Sequence, residues 1–157
     1  MKTQIGIKPE DSVLVADALN KLLSDEHVLY IKTRNAHWNV VGKDFAAQHA
    51  FFESQYRVLE DMIDQVAERI RAIGHYTEGT MEDFLKLTQL NEKSRENNDS
   101  ISFIKDLLSD HESVIIEARE NITRFDEDWH DVGSSDFLTG LMRAHEKMAW
   151  MLRSHLQ

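Results

Sequence analysis

Residues that break helices are rare in this chain of 157 residues, and their rarity constrains its fold more than any other feature. The only proline is Pro9, and the six glycines lie at positions 6, 42, 74, 79, 133 and 140. The stretches between these positions are long enough for helices of many turns, and they carry apolar residues three and four apart. The sequence therefore predicts an all-α protein.

Four long helices follow from this spacing, and each starts near a residue type that caps helices. They are predicted from Asp11 or Ser12 to about Asn39, from Asp44 to about Ile73, from Asp99 or Ser100 through Phe125, and from just after Ser135 to the C-terminus. Their apolar rows are Val15, Leu19, Leu22 and Leu29; Phe52, Tyr56, Leu59, Ile63, Val66, Ile70 and Ile73; Ile101, Ile104, Leu108, Ile115, Ala118, Ile122 and Phe125; and Leu138, Leu141, Met148 and Leu152.

The connection between the second and third helices, residues 74–98, is much longer than the other two connections. Within it the segment MEDFLKLTQL, residues 81–90, could form a short helix of its own. Two short links with one long link between them fit a four-helix bundle with a crossover. We expect a single domain over residues 1–157, which is long enough to bury about 70% of the surface that its unfolded chain would expose.

Composition excludes several classes of protein. The chain has no cysteine, which rules out disulfides and thiolate metal sites. No stretch approaches the roughly 20 apolar residues of a membrane helix, so we expect a cytoplasmic protein that does not enter a membrane. The formal net charge of -10 disfavours tight binding to phosphate backbones and suits cations, although acidity alone also fits a surface that is merely soluble.

The second predicted helix carries four side chains that can bind a metal ion: His49, Glu53, Asp64 and Glu68. On a regular helix they fall within about 100° of one another, on a flank beside the apolar row. Glu53 and Asp64 are nevertheless about 16 Å apart along the axis, whereas metal–ligand bonds are about 2 Å long. One copy of this helix cannot therefore bring all four side chains to one metal ion.

Two antiparallel copies of the helix would remove this difficulty. A single register places His49 opposite Glu68 and Glu53 opposite Asp64, and the two-fold axis generates a second identical site. His37, about 40° from the first helix's apolar row, could point towards the second helix. Imidazole with carboxylates suits iron, manganese or zinc, and carboxylate-rich sites in helix bundles often hold iron. Taken singly, each of these side chains could equally be solvated or hydrogen-bonded.

Two segments make the chain resemble a known family over essentially its whole length. NAHWNVVGKDFAAQHAFFESQYRVLEDMIDQVAERIRAIG, residues 35–74, and DVGSSDFLTGLMRAHEKMAWMLRSHL, residues 131–156, are similar to the Dps-type mini-ferritins, the DNA-protection-during-starvation proteins. The family's ferroxidase motif has a histidine before a tryptophan, a second histidine, an acid four residues later, and then Asp and Glu. The corresponding residues here are His37, His49, Glu53, Asp64 and Glu68.

The resemblance implies a ferritin-like four-helix subunit, twelve of which form a hollow shell with iron sites shared across two-fold interfaces. It also implies oxidation of Fe(II), preferably by hydrogen peroxide, and storage of the ferric mineral. Asp64 and Glu68 would be the primary carboxylate ligands, and His37 the ligand from the partner chain. His49 and Glu53 would complete a second, weaker position or orient water. Glu53 stands where the family usually has Asp and is one methylene longer.

Several other residues carry weaker signals. Trp38 is either a packed aromatic residue or, by the resemblance, an electron donor near the iron site. The family's three-fold pores are acidic, and carboxylates recur here every five residues, at Asp126, Asp131 and Asp136; the alternative is a solvated turn with helix caps. His111 and His145 lie in apolar rows, and we expect core histidines with hydrogen-bond partners. Glu127 and His130 form a single E-x-x-H next to a predicted turn, which is not expected to bind metal.

Three other functions are considered. A larger ferritin with its site inside one bundle would need paired E-x-x-H motifs, which the sequence lacks. A nucleoid DNA-binding protein with a secondary iron site would need a basic tail, yet only Lys2 and Lys8 precede the first helix. We therefore expect little or no direct DNA binding. A purely structural helical protein would show no iron-dependent chemistry.

Overall fold

A computed structural model describes residues 3–92 and 96–157, and it confirms the predicted all-α fold. Its helices are α1, Pro9–Asn39; α2, Phe45–Ala72; α3, Met81–Leu87; α4, Ser100–Thr123; and α5, Val132–Ser154. A π-helical turn, Arg124–Asp128, separates α4 from α5. The pairs α1–α2 and α4–α5 pack along their lengths, and α1 also contacts α4. The described helices thus form a four-helix bundle, and α3 lies in the crossover.

The helix boundaries agree with the predictions at α2 and α4 and differ at α1. Asp99 caps α4, because its carboxylate accepts a hydrogen bond from the Ser102 amide at 2.9 Å. The first helix, however, begins at Pro9 rather than after Asp11 or Ser12. Proline suits the first position of a helix, where an amide hydrogen would have no partner within the helix. The Ser12 hydroxyl donates to the Pro9 carbonyl at 3.0 Å and caps nothing.

The last helix also begins earlier than predicted, at Val132 instead of after Ser135. Asp131 is its cap: one carboxylate oxygen accepts from the Ser134 amide at 2.9 Å and the other from the Ser134 hydroxyl at 2.5 Å. The segment GSS therefore forms the first turn of α5. The preceding π-helical turn was not predicted, and its bond from the Trp129 amide to the Arg124 carbonyl measures 2.9 Å.

The core contains most of the predicted apolar rows. The rows of α1 and α5 are buried, as is that of α2 apart from the half-buried Ile63. In α4 the prediction is wrong at Ile101, which is 42% exposed. Phe103 is buried instead and packs edge-on against Phe52, with ring centroids 6.1 Å apart. Each large apolar side chain that is fully buried in this way contributes about 1.5–3 kcal/mol.

The crossover is fixed to α1 by a buried carboxylate. Asp25 accepts hydrogen bonds from the Thr88 hydroxyl at 2.6 Å, the Gln89 amide at 2.9 Å and the Gln89 side chain at 3.0 Å. The predicted short helix is present as α3, and Phe84 of that helix stacks on His27 at 3.8 Å. Among the described residues, none of the helices combines the length and the apolar character that a membrane span requires.

Candidate metal centre

His37 and His49 form a pair where the end of α1 meets the start of α2. The Nδ1 atom of His37 lies 2.8 Å from the His49 carbonyl oxygen, and the Nδ1 atom of His49 lies 2.8 Å from the His37 carbonyl oxygen. The two rings stack with centroids 3.7 Å apart. Because a carbonyl oxygen can only accept, each Nδ1 must carry a hydrogen. In the neutral rings each Nε2 therefore keeps the lone pair that a metal ion requires.

Glu53 lies one helical turn after His49 and is held by an arginine. Arg57 donates to the same carboxylate oxygen of Glu53 from Nε at 3.0 Å and from Nη2 at 2.5 Å. The hydrogen bonds from Arg57 lower the pKa of Glu53, and the nearby charge of Arg57 adds to this effect. Glu53 is therefore ionised at neutral pH, as an oxygen ligand must be. Arg57 was not singled out from the sequence, although its spacing of four from Glu53 is typical of a helical ion pair.

Asp64 and Glu68 are exposed side chains further along α2. Within residues 3–92 and 96–157, no group of three or more His, Asp or Glu side chains is placed so that it could hold a metal ion. A single subunit therefore brings His37 and His49 together but does not gather the five predicted ligands. This agrees with the distance along one helix and leaves the proposed two-fold pairing as a prediction.

Aromatic side chains surround the histidine pair. The ring of Tyr56 packs edge-on against His37 with centroids 5.3 Å apart, and Phe45 lies 5.3 Å from His49. Trp38, in contrast, is 59% exposed, so it is not packed in the core of the subunit. Its ring faces the guanidinium of Arg34 at 5.1 Å, a distance at which a cation and an aromatic ring attract each other.

Known proteins resemble this chain in sequence and in fold. The sequence profile of the Ferritin-like domain family matches residues 16–157. DNA protection during starvation protein 2 of Bacillus anthracis is 33% identical over 90% of this chain and 96% of its own length. A low temperature-induced protein of Nostoc sp. is 39% identical over 99% of this chain and 87% of its own. The chain belongs to the Dps-type mini-ferritins.

The fold supports the same assignment. The Dps protein of Vibrio cholerae O1 superposes on this mini-ferritin with a TM-score of 0.92 and 32% identity, over 100% of this chain and 98% of the other. That protein is described as a member of a broad superfamily of ferritin-like diiron-carboxylate proteins. The predicted resemblance to the mini-ferritins is thereby confirmed.

The three aspartates considered as pore residues differ in their environments. Asp131 of this mini-ferritin is buried, caps α5 and pairs with Arg69 at 3.1 Å. Arg69 also donates to the Ser134 hydroxyl at 3.0 Å, which ties α2 to the start of α5. The alternative interpretation as a helix cap is thus correct for Asp131, whose carboxylate is already engaged. Asp126 and Asp136 are exposed and remain candidates for a pore.

A second histidine pair lies inside the bundle of this mini-ferritin. The Nδ1 atoms of His111 and His145 are 2.9 Å apart, and Nε2 of His145 lies 2.6 Å from a carboxylate oxygen of Glu26. All three side chains are buried, so the prediction of core histidines with hydrogen-bond partners is confirmed. Burial, followed by the neighbouring His145, holds the pKa of His111 well below its ordinary value. Glu26 was missed because its pairing with α5 leaves no local sequence pattern.

Proposed function

We propose that this mini-ferritin binds Fe(II) at sites shared between two subunits, oxidises it and stores the ferric product inside a shell. Each chain would contribute one ferritin-like domain over residues 1–157. The observation that supports the proposal is the His37–His49 pair, whose Nε2 atoms keep their lone pairs while the Nδ1 atoms are bound to carbonyl oxygens. Two imidazoles fixed in this way are suited to a divalent iron ion.

Each site would take His37, His49 and Glu53 from one subunit and Asp64 and Glu68 from its two-fold partner. The carboxylates would be the stronger ligands, and His37 would complete their site from across the interface. His49 and Glu53 would form the weaker position, because Arg57 competes with the metal ion for the Glu53 carboxylate. The two halves lie at opposite ends of α2, so an antiparallel pair of subunits would make two equivalent sites.

Hydrogen peroxide is the proposed oxidant. Two Fe(II) ions would give one electron each, and the peroxide would take up two protons as its O–O bond breaks to form two water molecules. The reaction removes both reagents that generate hydroxyl radicals, so it would protect the cell from oxidative damage. A shell of twelve subunits in the cytoplasm would retain the ferric oxyhydroxide.

Anaerobic loading with Fe(II) followed by substoichiometric peroxide or oxygen tests this function. We expect a fast rise in ferric absorbance with peroxide, and iron that comigrates with the protein on gel filtration. The double variant Asp64→Ala/Glu68→Ala should lose the fast phase while still assembling. No fast phase in the unaltered protein, or an unchanged fast phase in the variant, would contradict the proposed reaction or its ligands.

Mixed assemblies test whether the site is shared. One subunit type would carry His37→Ala and His49→Ala, and the other Asp64→Ala and Glu68→Ala. If the subunits pair at random, about one quarter of all sites in a 1:1 mixture regain every ligand, because half of the pairs contain one intact site. Recovery of about one quarter of the fast phase supports a shared site. Assembled mixtures without recovery would contradict a site shared in this way.

A further inference from the structure

Another histidine of α1, His27, is held in one orientation on the side of the helix that meets α3. Its Nδ1 atom lies 2.8 Å from the carbonyl oxygen of Leu23, and its ring stacks on that of Phe84 with centroids 3.8 Å apart. Because a carbonyl oxygen only accepts, Nδ1 carries the hydrogen, and Nε2 of the neutral ring keeps its lone pair. His27 precedes His37 by about 15 Å along the helix, so it is not part of the proposed iron site.

Partial burial keeps this imidazole neutral. Desolvation lowers the pKa of His27, and it outweighs the hydrogen bond to Leu23 and the charge of Glu26, which both act in the opposite direction. At neutral pH few of these rings carry a second proton, so the lone pair of Nε2 is available to a metal ion.

A thioether side chain lies near this histidine on the neighbouring helix. Met81 is the first residue of α3 and is 65% exposed. It precedes Phe84 by three residues, which places both side chains on the same face of α3. Phe84 is the residue that stacks on His27. His27 and Met81 accordingly line one cavity of about 180 Å³ between α1 and α3.

The rest of this cavity suits a soft cation. Its apolar lining is Val28, Ile31, Phe84 and Leu85, and Glu92 adds a carboxylate. An apolar wall disfavours a hard cation such as Mg²⁺, which gives up its water reluctantly. Thioether sulfur and imidazole nitrogen, in contrast, are ligands that suit copper, and thioethers select Cu(I). The chain has no cysteine, so methionine is the only residue type in it that can offer sulfur to a metal ion.

We propose that the cavity between α1 and α3 binds Cu(I), with Nε2 of His27 and the sulfur of Met81 as the ligands. The carboxylate of Glu92 would attract the cation without being required as a ligand. The site is separate from the His37–His49 pair and does not depend on the proposed function. Cu(I), like Fe(II), reacts with hydrogen peroxide to release hydroxyl radicals, so its capture would give the chain a second protective activity.

Anaerobic titration with Cu(I) in competition with the chelator bicinchoninate measures the affinity, and X-ray absorption at the copper edge identifies the ligands. A copper–sulfur contribution can come only from methionine, because cysteine is absent. The His37–His49 pair also offers nitrogen atoms to Cu(I), so the assembled protein is studied both unaltered and as His37→Ala/His49→Ala. We expect Cu(I) with a sulfur ligand in both proteins.

Substitutions made in both proteins identify the ligands. Met81→Leu removes the sulfur and keeps the apolar character, and His27→Asn removes Nε2 while keeping a donor near the position of Nδ1. Each should weaken Cu(I) binding by at least about tenfold, since even residues that only orient a ligand contribute about 10–100-fold. Met81→Leu should also lose the copper–sulfur contribution. Met151→Leu and His155→Asn, which change the same residue types away from this cavity, should bind Cu(I) as before.

Two results would overturn the proposal. One is that His37→Ala/His49→Ala retains no Cu(I) against the chelator, or binds it through nitrogen and oxygen alone. The other is a copper–sulfur contribution of undiminished size in Met81→Leu. Oxidation of Fe(II) is measured in parallel: Met81→Leu with an intact His37–His49 pair should match the unaltered protein, and slower oxidation would contradict the separation of the two sites. Gel filtration of every variant verifies that the assembly is retained.

Discussion

His37 and His49 each donate a hydrogen bond from Nδ1 to the backbone carbonyl oxygen of the other residue, at 2.8 Å in both directions. The two bonds join the end of α1 to the start of α2. They stabilise the connection between these helices, and they also fix the hydrogen of each ring on Nδ1. The fold itself thus orients the Nε2 atoms of these two proposed ligands.

Substitutions at His49 should separate its contribution to stability from its proposed role as a metal ligand. Asparagine can place a nitrogen donor near the position of Nδ1 but has no ligand at Nε2, whereas glutamine can reach the Nε2 position but lacks the Nδ1 donor. We expect His49→Asn to keep its thermal stability and to bind Fe(II) about 10–100-fold more weakly. His49→Gln should lose about 0.5–1.5 kcal/mol of stability and retain more of the metal affinity.

Anaerobic titration with Fe(II) and thermal unfolding measure the two effects. His155→Asn is a suitable control, because His155 is an exposed histidine outside the predicted ligand set. Equal losses of stability and of metal affinity in both His49 variants would show that the two roles are not separable.

Arg57 should weaken the binding of Fe(II) at the second metal position, which His49 and Glu53 would form. In Arg57→Gln the Glu53 carboxylate loses its partner, and we expect the second Fe(II) to bind a few fold more tightly at neutral pH, because an exposed ion pair is weak. The pKa of Glu53, which Arg57 lowers, should return towards its ordinary value. The variant's advantage in affinity should therefore shrink as the pH falls, since protons compete sooner for the freed carboxylate.

The control for Arg57→Gln is Arg153→Gln, which breaks another exposed ion pair, with Glu112 at 2.7 Å. Titrations with Fe(II) at several pH values compare the two. If Arg57→Gln binds the second ion no more tightly than Arg153→Gln does, Arg57 does not compete for Glu53.

The sequence predicts a feature well when the residues that produce it lie close together in the chain. The row of α2 is predicted well because one face of a single helix carries it, and the four metal-capable side chains are visible on that same helix. The start of α5 is misplaced, because the sequence leaves Asp131 open between a pore residue and a helix cap, and only its bonds to Ser134 decide between the two. Glu26 is missed because its partner, His145, is 119 residues away. The proposed shared site would involve two chains, and a single chain shows only one half of it at each end of α2.

His111 should make the bundle sensitive to acid. Burial lowers its pKa in the folded protein, so the unfolded chain binds a proton more readily. Its contribution to stability is therefore present above the unfolded pKa of about 6.5 and is lost as the pH falls below it. A proton on Nε2 would have no hydrogen-bond partner among the described residues. The loss can reach about 1.4 kcal/mol per pH unit.

Thermal unfolding between pH 7 and pH 5 tests this prediction. His111→Gln should be less stable than the unaltered protein at neutral pH, yet its melting temperature should fall less steeply with acid. His155→Gln, at an exposed position, should follow the unaltered protein. Parallel curves for all three proteins would show that His111 does not determine the acid sensitivity.

Asp131 should matter for stability and not for iron entry. Asp131→Ala removes the cap of α5 and leaves Arg69 without its carboxylate, and we expect a loss of about 2–3 kcal/mol. Asp126→Ala and Asp136→Ala change exposed side chains and should stay within about 0.5 kcal/mol. Thermal unfolding with iron-uptake rates separates the two roles. Slower iron uptake by Asp131→Ala assemblies of normal stability would contradict this purely structural role.

Direct binding to DNA should be absent at physiological salt. Binding to a phosphate backbone depends on lysines and arginines that release counterions, and this chain has 18 of them against 28 acidic residues. Of the two lysines before α1, Lys8 adjoins the helix as its N-cap residue, and Lys2 lies outside the described residues. We expect no shift of a DNA fragment on a gel at about 0.15 M salt. A variant with a lysine-rich tail added to the N-terminus should bind under the same conditions, which verifies the assay. Binding by the unaltered assembly would show that its surface holds a concentrated basic patch despite the net charge.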